Sequence, residues 1–167
     1  MQRILIIGCP GGGKSTLARA IGGKLGLPVT HLDQLWWRPG WVEAPLDEFR
    51  AAVMDAAADE RWVMDGNFSN SFDIRAARAD TIIWIDQPRL LCLWRAWNRA
   101  RTHKGAVRAD MAEGCPEKFD LEFARYIWTY PSEIAPRMEK LIDAHGDHAR
   151  FFRLRSDAEM NEFVERL

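Results

Sequence analysis

A glycine-rich segment near the start of the chain has the residue types and spacing to bind phosphate groups. The run Gly8-Cys9-Pro10-Gly11-Gly12-Gly13-Lys14-Ser15 fits the pattern GxxxxGK(S/T) in full, and Thr16 follows it. Glycines let backbone N–H groups converge on an anion, and a helix that begins at Lys14 adds the positive end of its dipole. We therefore expect this phosphate loop to bind a nucleoside triphosphate.

Each residue of the phosphate loop has an expected role. The ammonium group of Lys14 can reach the β- and γ-phosphates and act in catalysis, and the Ser15 hydroxyl can ligate Mg²⁺. Thr16 either hydrogen-bonds a phosphate or caps the helix. The expected nucleotide contacts in the motif are Gly8, Pro10, Gly11, Gly12, Gly13, Lys14, Ser15 and Thr16.

Three carboxylates are expected at the edge of the sheet where α/β proteins bind ligands. Asp33, Asp65 and Asp86 each follow an apolar run that predicts a strand, and ligands lie beyond the carboxyl ends of such strands. Asp65 ends its run in the Walker-B manner and is the candidate Mg²⁺ carboxylate. Asp33 precedes an aromatic loop that could enclose an acceptor, so it is the candidate general base. A helix cap or a turn is the alternative role for each, and the favoured role for Asp86.

The segment from Gln87 to Ala109 contains six basic residues and no acidic residue. Arg95 and Arg99 are four residues apart and share a helix face, so we expect them to stabilise the transferring phosphoryl group, with Arg99 in a mobile lid over about residues 99–120 and Arg95 just before it. Two alternatives stay open, a solvated basic face with partners elsewhere in the fold and contacts with a nucleic-acid backbone. The basic residues are Arg89, Arg95, Arg99, Arg101, Lys104 and Arg108.

A tryptophan-rich segment follows Asp33. It contains Trp36, Trp37 and Trp41 together with Arg38. The indole rings can stack on an acceptor while Arg38 pairs with a phosphate or a carboxylate, or the rings can simply pack the segment against the protein. Both interpretations stay open. We expect residues 33–45 to form a loop within an acceptor-side insertion over residues 33–59.

The elements that position these residues alternate along the chain. Hydrophobic patterns predict strands at residues 3–7, 29–32, 62–64, 81–85 and 151–154. They predict helices at residues 14–25, 45–59, 71–78, 88–102 and 119–144, the last broken near Pro131, and a final helix from Ser156. Strands that alternate with helices indicate βαβ units, a mostly parallel sheet and a three-layer α/β domain.

Composition excludes several other classes of protein. The chain of 167 residues has room for one domain, expected to span residues 1–167. It has no apolar stretch long enough to cross a membrane, and three widely spaced cysteines offer no disulfide framework. We therefore expect a cytoplasmic protein without a membrane partner, either a monomer or a weak homodimer. A net charge of −1 argues against coating DNA by bulk electrostatics.

Three further segments are specific enough to suggest a family. They are His31-Leu32-Asp33-Gln34-Leu35-Trp36-Trp37, Met64-Asp65-Gly66-Asn67-Phe68 and Gly114-Cys115-Pro116-Glu117-Lys118-Phe119-Asp120. With the phosphate loop, they make the chain similar to adenylate-kinase-like P-loop proteins. More closely, the chain resembles the DNA topology modulation (FlaR-related) proteins.

The resemblance implies a five-stranded parallel sheet of order 2-3-1-4-5 and a nucleoside-monophosphate-kinase-like fold with an arginine-bearing lid. It implies ATP phosphates at Gly11 to Thr16, lid arginines at Arg95, Arg99 and Arg101, and adenine near Arg155 and Ser156. Adenylate kinases carry Asp-Gly-Phe-Pro-Arg where this chain has Asp65-Gly66-Asn67-Phe68-Ser69, and their Thr-Gly-Asp motif is absent here. An arginine for the acceptor nucleotide is therefore missing, which disfavours AMP as the acceptor.

The sequence thus predicts a small kinase that uses ATP and Mg²⁺. Its acceptor would be a nucleotide, a nucleoside or another small hydroxylated molecule. Two alternatives stay open, an ATP-gated regulator or ATPase that affects DNA topology through a partner, and an enzyme that acts on nucleic-acid ends. Direct binding of nucleic acid is the less favoured of the predicted interactions.

Overall fold

The computed structural model describes residues 1–103 and 105–167, so Lys104 of the basic segment lies outside the described residues. The strands are β1 (Arg3–Gly8), β2 (Val29–His31), β3 (Trp37–Arg38), β4 (Val42–Glu43), β5 (Trp62–Asp65), β6 (Thr81–Ile85) and β7 (Arg150–Leu154). The helices are α1 (Lys14–Leu25), α2 (Leu32–Trp36), α3 (Leu46–Ala58), α4 (Phe72–Ala76), α5 (Arg89–Thr102), α6 (Leu121–Thr129), α7 (Ala135–His145) and α8 (Asp157–Glu165). None of the helices within these residues is long and apolar enough to cross a membrane.

Five strands form one parallel sheet in the order β2-β5-β1-β6-β7. Numbered among themselves these strands have the order 2-3-1-4-5, so the predicted sheet is confirmed. β1 lies at the centre because its apolar residues 4–7 are fully buried and suit a strand covered on both faces. Its pairing with β5 and β6 sets Ile6 opposite Asp65 and Gly8 opposite Ile85. The phosphate loop therefore leaves the sheet beside Asp65.

Helices cover both faces of the sheet. Ile4 and Ile6 belong to a core with residues of α1 and α8, while Leu5 and Ile7 belong to a core with residues of α3, α4 and α7. This division follows from the alternation of side chains along a strand. The predicted three-layer α/β fold is confirmed.

The prediction of a loop over residues 33–45 is wrong in part. The predicted second strand ends at His31, Leu32–Trp36 form helix α2, and β3 and β4 form an antiparallel hairpin. The ring of Trp36 lies 4.9 Å from that of Phe49 and 5.8 Å from that of Phe68, which holds α2 against α3. So short a helix depends on tertiary packing, which local periodicity does not reveal.

The predicted break near Pro131 is also wrong in part. The helix begins at Leu121, and the chain stays helical between α6 and α7 through a π-type turn over Tyr130–Ile134. The N–H of Ala135 donates to the carbonyl of Tyr130, five residues back. Pro131 has no N–H to donate, and the wider turn accommodates it without ending the helical path.

A buried arginine holds the loop that follows β5. Arg75 in α4 is fully buried, and its guanidinium group donates to the carbonyls of Gly66, Asn67 and Phe68, each at 2.9 Å. Burial lowers the pKa of Arg75 to about 9, so the group is still charged at neutral pH. The backbone of this loop is strained, since φ of Phe68 is +23°. The three hydrogen bonds therefore stabilise a conformation that the chain would not adopt by itself.

Arg75→Met should lower the free energy of unfolding by about 3–5 kcal/mol, because it leaves buried carbonyls without donors. Arg78→Met is the matched control, since Arg78 is partly exposed and pairs with Glu60 at 3.3 Å. Its loss should stay below about 1 kcal/mol. Urea unfolding followed by circular dichroism measures both values, and equal losses would contradict the assigned role of Arg75.

Candidate functional site

The phosphate loop lies between β1 and α1 and has backbone angles that favour glycine. φ is +81° at Gly11 and +101° at Gly13. A Cβ atom at Gly11 would lie 2.3 Å from the carbonyl oxygen of Cys92, so the loop packs closely on α5. Pro10 is half-buried within the loop, and Thr16 is exposed in the first turn of α1. The first N–H groups of α1 have no partner within the helix and can bind an anion.

Two side chains fix the end of β1 and the start of the phosphate loop. The Nζ atom of Lys14 donates to the carbonyl oxygens of Gly8 at 2.9 Å and Cys9 at 3.3 Å. The side chain of Asn67 accepts from the N–H of Gly8 and donates to its carbonyl, both at 3.0 Å. Sequence analysis gave Asn67 no role at the loop. Only the pairing of β1 with β5 brings it there.

The two predicted metal ligands are in contact. Ser15 Oγ donates to Oδ2 of the buried Asp65 at 2.7 Å, and the other oxygen of Asp65 lies 2.5 Å from Nδ1 of His31. A hydroxyl and a carboxylate fit Mg²⁺, which fills the rest of its shell with water and phosphate oxygens. In the described part of the chain, no group of three or more His, Cys, Asp or Glu residues could hold a metal ion. A bound Mg²⁺ would therefore depend on nucleotide phosphates for further ligands. His31 was not among the predicted site residues.

The candidate base lies in the first turn of α2 rather than in a loop. Asp33 is half-buried, and burial raises its pKa, while Lys14 opposes the rise and Asp65 adds to it. The carboxyl group of Asp33 is therefore close enough to both residues to feel their charges. A carboxylate with a raised pKa takes a proton from a hydroxyl more readily.

An acidic residue of the lid segment (residues 99–120) that was not predicted lies beside the first helix. Asp110 is buried, accepts from Arg108 at 2.9 Å, and lies 3.8 Å from Nη1 of Arg19 in α1. Burial by itself would raise the pKa of Asp110, but Arg108 and Ser15 hold it below its usual range. The charge of Arg108 also acts on Asp33. No local pattern indicates these contacts, because Asp110 lies in an irregular loop.

The predicted catalytic arginines are ion-paired within the fold. Arg95 pairs with Asp157 of α8. Arg99 Nε donates to Glu117 at 2.7 Å, and the Glu117 side chain is only 5% exposed. The second oxygen of Glu117 lies 2.6 Å from Nε of Arg108. These contacts favour the alternative in which the basic residues have partners elsewhere in the fold.

The predicted adenine region lies at the end of β7. Ser156 Oγ accepts from the N–H of Glu159 at 3.2 Å and so caps α8, while Arg155 is exposed, with Nε 3.8 Å from an oxygen of Asp86. Asp86 also accepts from Arg153 Nε at 3.0 Å. Asp86 is therefore an ion-pair partner of Arg153 and Arg155 rather than the cap of α5, whose N-cap residue is Pro88.

The tryptophans of the tryptophan-rich segment differ in their surroundings, so packing against the protein accounts for some of them only. Trp36 packs in the core between α2 and α3. Trp41 instead contacts the lid segment, where its Nε1 donates to the carbonyl of Pro116 at 3.2 Å. Next to it, the N–H of Gly40 donates to the carbonyl of Gly114 at 2.9 Å. The hairpin of β3 and β4 is therefore hydrogen-bonded to the lid segment.

Comparison with known proteins agrees with this fold. No protein-family model matches the chain, and no curated protein does. Shikimate kinase from Acinetobacter baumannii, solved in complex with shikimate, is similar with a TM-score of 0.58 and 14% identity, covering 99% of this chain and 90% of that one. Shikimate kinase from Bacteroides thetaiotaomicron is similar with a TM-score of 0.57 and 17% identity, covering 99% of this chain and 95% of that one. A sugar kinase from Janibacter sp. is similar with a TM-score of 0.55 and 14% identity, covering 99% of this chain and 91% of that one. The chain has the fold of P-loop kinases.

Asp33→Asn should raise the free energy of unfolding at pH 7 by more than the ~0.5 kcal/mol scatter of ordinary surface substitutions. Burial raises the pKa of Asp33 in the folded chain, so its ionisation destabilises the fold as the pH rises through that range. The gain should vanish as the pH falls to the ordinary value of 3.8. Urea unfolding at both pH values measures it, with Asp55→Asn on the exposed face of α3 as control. A gain that persists at low pH would contradict the assignment.

Proposed function

We propose that this protein is a phosphotransferase that moves the γ-phosphoryl group of ATP to a hydroxyl group of a small acceptor. The observation that carries the proposal is the contact of Ser15 with Asp65 at 2.7 Å, beside Lys14 of the phosphate loop. Ser15 and Asp65 are 50 residues apart in the chain. Their meeting supports a site for Mg²⁺ next to the phosphate-binding N–H groups.

Each residue of the site has a role in this reaction. Lys14 and the loop N–H groups bind the β- and γ-phosphates. Adenine binds near Arg155 and Ser156, as the family resemblance implies. Ser15 and Asp65 would hold Mg²⁺, which neutralises charge on the phosphate oxygens when it is bound. Asp33 accepts the proton of the acceptor hydroxyl while the hydroxyl oxygen forms a bond to the γ-phosphorus. The bond between the γ-phosphorus and the oxygen that bridges it to the β-phosphate breaks, and ADP leaves with that oxygen.

The acceptor is expected to differ from AMP. Ser69 stands where adenylate kinases have an arginine, and the neighbouring Asn67 is engaged with Gly8 of the phosphate loop. The segment after β5 therefore supports the phosphate loop. The similar structures include kinases named for shikimate and for sugars, and both classes of hydroxylated molecule are candidate acceptors here.

Several expectations about this protein's family, segments and location stay predictions. They include the resemblance to the DNA topology modulation proteins, the insertion over residues 33–59 and the lid over residues 99–120. A cytoplasmic location and a monomeric or weakly dimeric state also belong to them. An ATP-gated regulator or ATPase is the alternative function, and it would hydrolyse ATP slowly without any dependence on an acceptor.

Release of ADP from ATP and Mg²⁺ should rise about tenfold or more with one member of an acceptor panel. The panel contains nucleosides, nucleoside monophosphates, sugars and shikimate. Lys14→Ala should abolish the rise, because the phosphates lose their side-chain cation. A slow rate that is equal for every acceptor would contradict the kinase and favour the regulator.

With the acceptor known, Asp33→Asn should lower kcat by about 100-fold or more, because the hydroxyl loses its base. The affinity for ATP, measured by calorimetry, should change little, since Asp33 is assigned to the acceptor. Full transfer activity in this variant would contradict the role of Asp33. Urea unfolding of the variant at pH 7 serves as the control, since a stability equal to or above that of the original chain excludes misfolding as the cause of any loss.

We infer that Arg108 supplies the positive charge that sequence analysis expected from Arg95 and Arg99. Arg108→Gln should lower the single-turnover rate by about 100-fold, the usual loss for one donor to a transition state. Arg95→Gln should lower it by less than about tenfold, because Arg95 pairs with Asp157 of α8. The charge of Arg108, in contrast, acts on the candidate base Asp33, although Arg108 also pairs with Asp110 and Glu117. The reverse ranking would return the role to Arg95. Arg108→Lys, which keeps a charge, should recover part of the rate.

A further inference from the structure

The outer side of the helix pair α5 and α6 exposes large apolar side chains. Leu90, Trp94 and Trp97 of α5 are 66%, 56% and 47% exposed, and Leu121 and Trp128 of α6 are 86% and 47% exposed. So many large apolar side chains on one helix pair usually mark an interaction site. We call these five residues, together with Arg89, Arg101 and Arg125, the α5–α6 surface.

The spacing of these residues places them in two stripes. Positions 90, 94, 97 and 101 follow one face of α5, and positions 121, 125 and 128 follow one face of α6. The guanidinium group of Arg89 lies over the ring of Trp128, 4.0 Å from its centre, and connects the two helices. Arg101 likewise lies over Trp97, 5.2 Å from the ring centre. The α5–α6 surface thus combines indole rings with arginines.

The charge of this surface is not balanced by the fold. Arg95 and Arg99 point to the inner side of α5 and pair with carboxylates. Within residues 1–103 and 105–167, no carboxylate lies in ion-pair distance of the outer arginines, which are Arg89, Arg101 and Arg125. A partner should therefore be anionic, and it should also offer planar or apolar groups to the indoles.

We propose that the α5–α6 surface binds single-stranded nucleic acid without sequence preference. Unpaired bases stack on exposed indole rings because every base has a π-face, and arginines contact the phosphates. The stripe from Leu90 to Arg101 covers about 16 Å of helix, which is long enough for more than one stacked base. The leucines add apolar contacts to sugars and base edges. This activity is separate from the proposed phosphoryl transfer, and of its residues only Arg101 is among the lid arginines that the resemblance implies.

Other occupants fit the surface less well. A second copy of the chain would place the arginines of one surface against those of the other, and these three arginines outnumber the exposed Glu122 that flanks them on α6. Double-stranded DNA keeps its bases stacked and offers the indoles nothing planar. An acidic segment of another protein would pair with the arginines but would leave the indole faces without planar partners.

Fluorescence anisotropy of a labelled twelve-nucleotide oligo(dT) tests the proposal, with oligo(U) and a duplex of the same length beside it. At about 50 mM salt the single strands should bind, and the duplex should bind about tenfold more weakly or worse. Trp94→Ala with Trp97→Ala should weaken binding of the single strands about tenfold or more. Saturating ATP with Mg²⁺ should leave the binding unchanged, which separates it from the phosphate loop.

The arginines are tested through the dependence of binding on salt. Arg89→Gln with Arg101→Gln should make the negative slope of log K against log salt less steep by about 1.4, or about 0.7 for each phosphate that the variant no longer neutralises. Arg150→Gln with Phe151→Ala is the matched control, because it removes an exposed arginine and an exposed aromatic ring from β7. This control should keep both the affinity and the slope.

Several results would overturn the proposal. They are no binding of either single strand at low salt, equal weakening in the β7 control, and affinity that is unchanged in the tryptophan variant. Self-association in sedimentation that the tryptophan variant loses, without oligonucleotide binding, would assign the surface to a second copy instead. Trp94→Phe guards against misfolding, since it keeps a stacking ring and should weaken binding less than Trp94→Ala.

Discussion

The buried carboxylate of Asp65 is the constraint on which the arrangement of the site depends. An ionised carboxylate removed from water is unfavourable unless its oxygens are hydrogen-bonded, and here Ser15 contacts one oxygen and His31 the other. Ser15 belongs to the first turn of α1 and His31 ends β2, so one side chain fixes the relative positions of α1, β2 and β5. The parallel register of β2 and β5 sets His31 opposite Asp65 and so makes the contact a consequence of strand pairing.

The conformation of the phosphate loop also depends on Arg75, which does not touch it. Arg75 binds the carbonyls of the strained loop after β5 and so fixes the backbone of Asn67. Asn67 in turn binds both backbone groups of Gly8, whose carbonyl accepts from Lys14. The orientation of Lys14 is therefore coupled to a buried arginine in α4. This chain of hydrogen bonds forms a connected polar network at the carboxyl ends of β1 and β5, in which each group fixes the next.

Sequence reasoning succeeded where local pattern determines structure and failed where tertiary contacts do. The run 3–7 and the helix over 14–25 carry their own signals, and the phosphate loop with Asp65 follows from motifs. Asn67, His31 and Asp110 could not be predicted, because their roles arise from strand register and from an irregular loop. Helix α2 is held by the packing of Trp36 and has too few residues for a periodic pattern.

The basic segment shows why charge counted along the chain does not decide function. Arg95 pairs with Asp157, 62 residues away, and Arg99 with Glu117, 18 residues away, so the acids that neutralise the inner side of α5 lie outside the acid-free window. The outer arginines have indole rings as neighbours instead. The inner face of α5 therefore fits the alternative of partners elsewhere in the fold, while the outer face is the one that we propose as a nucleic-acid surface, since residues one turn apart share a face and their neighbours point elsewhere. The function of each arginine follows from the face it occupies.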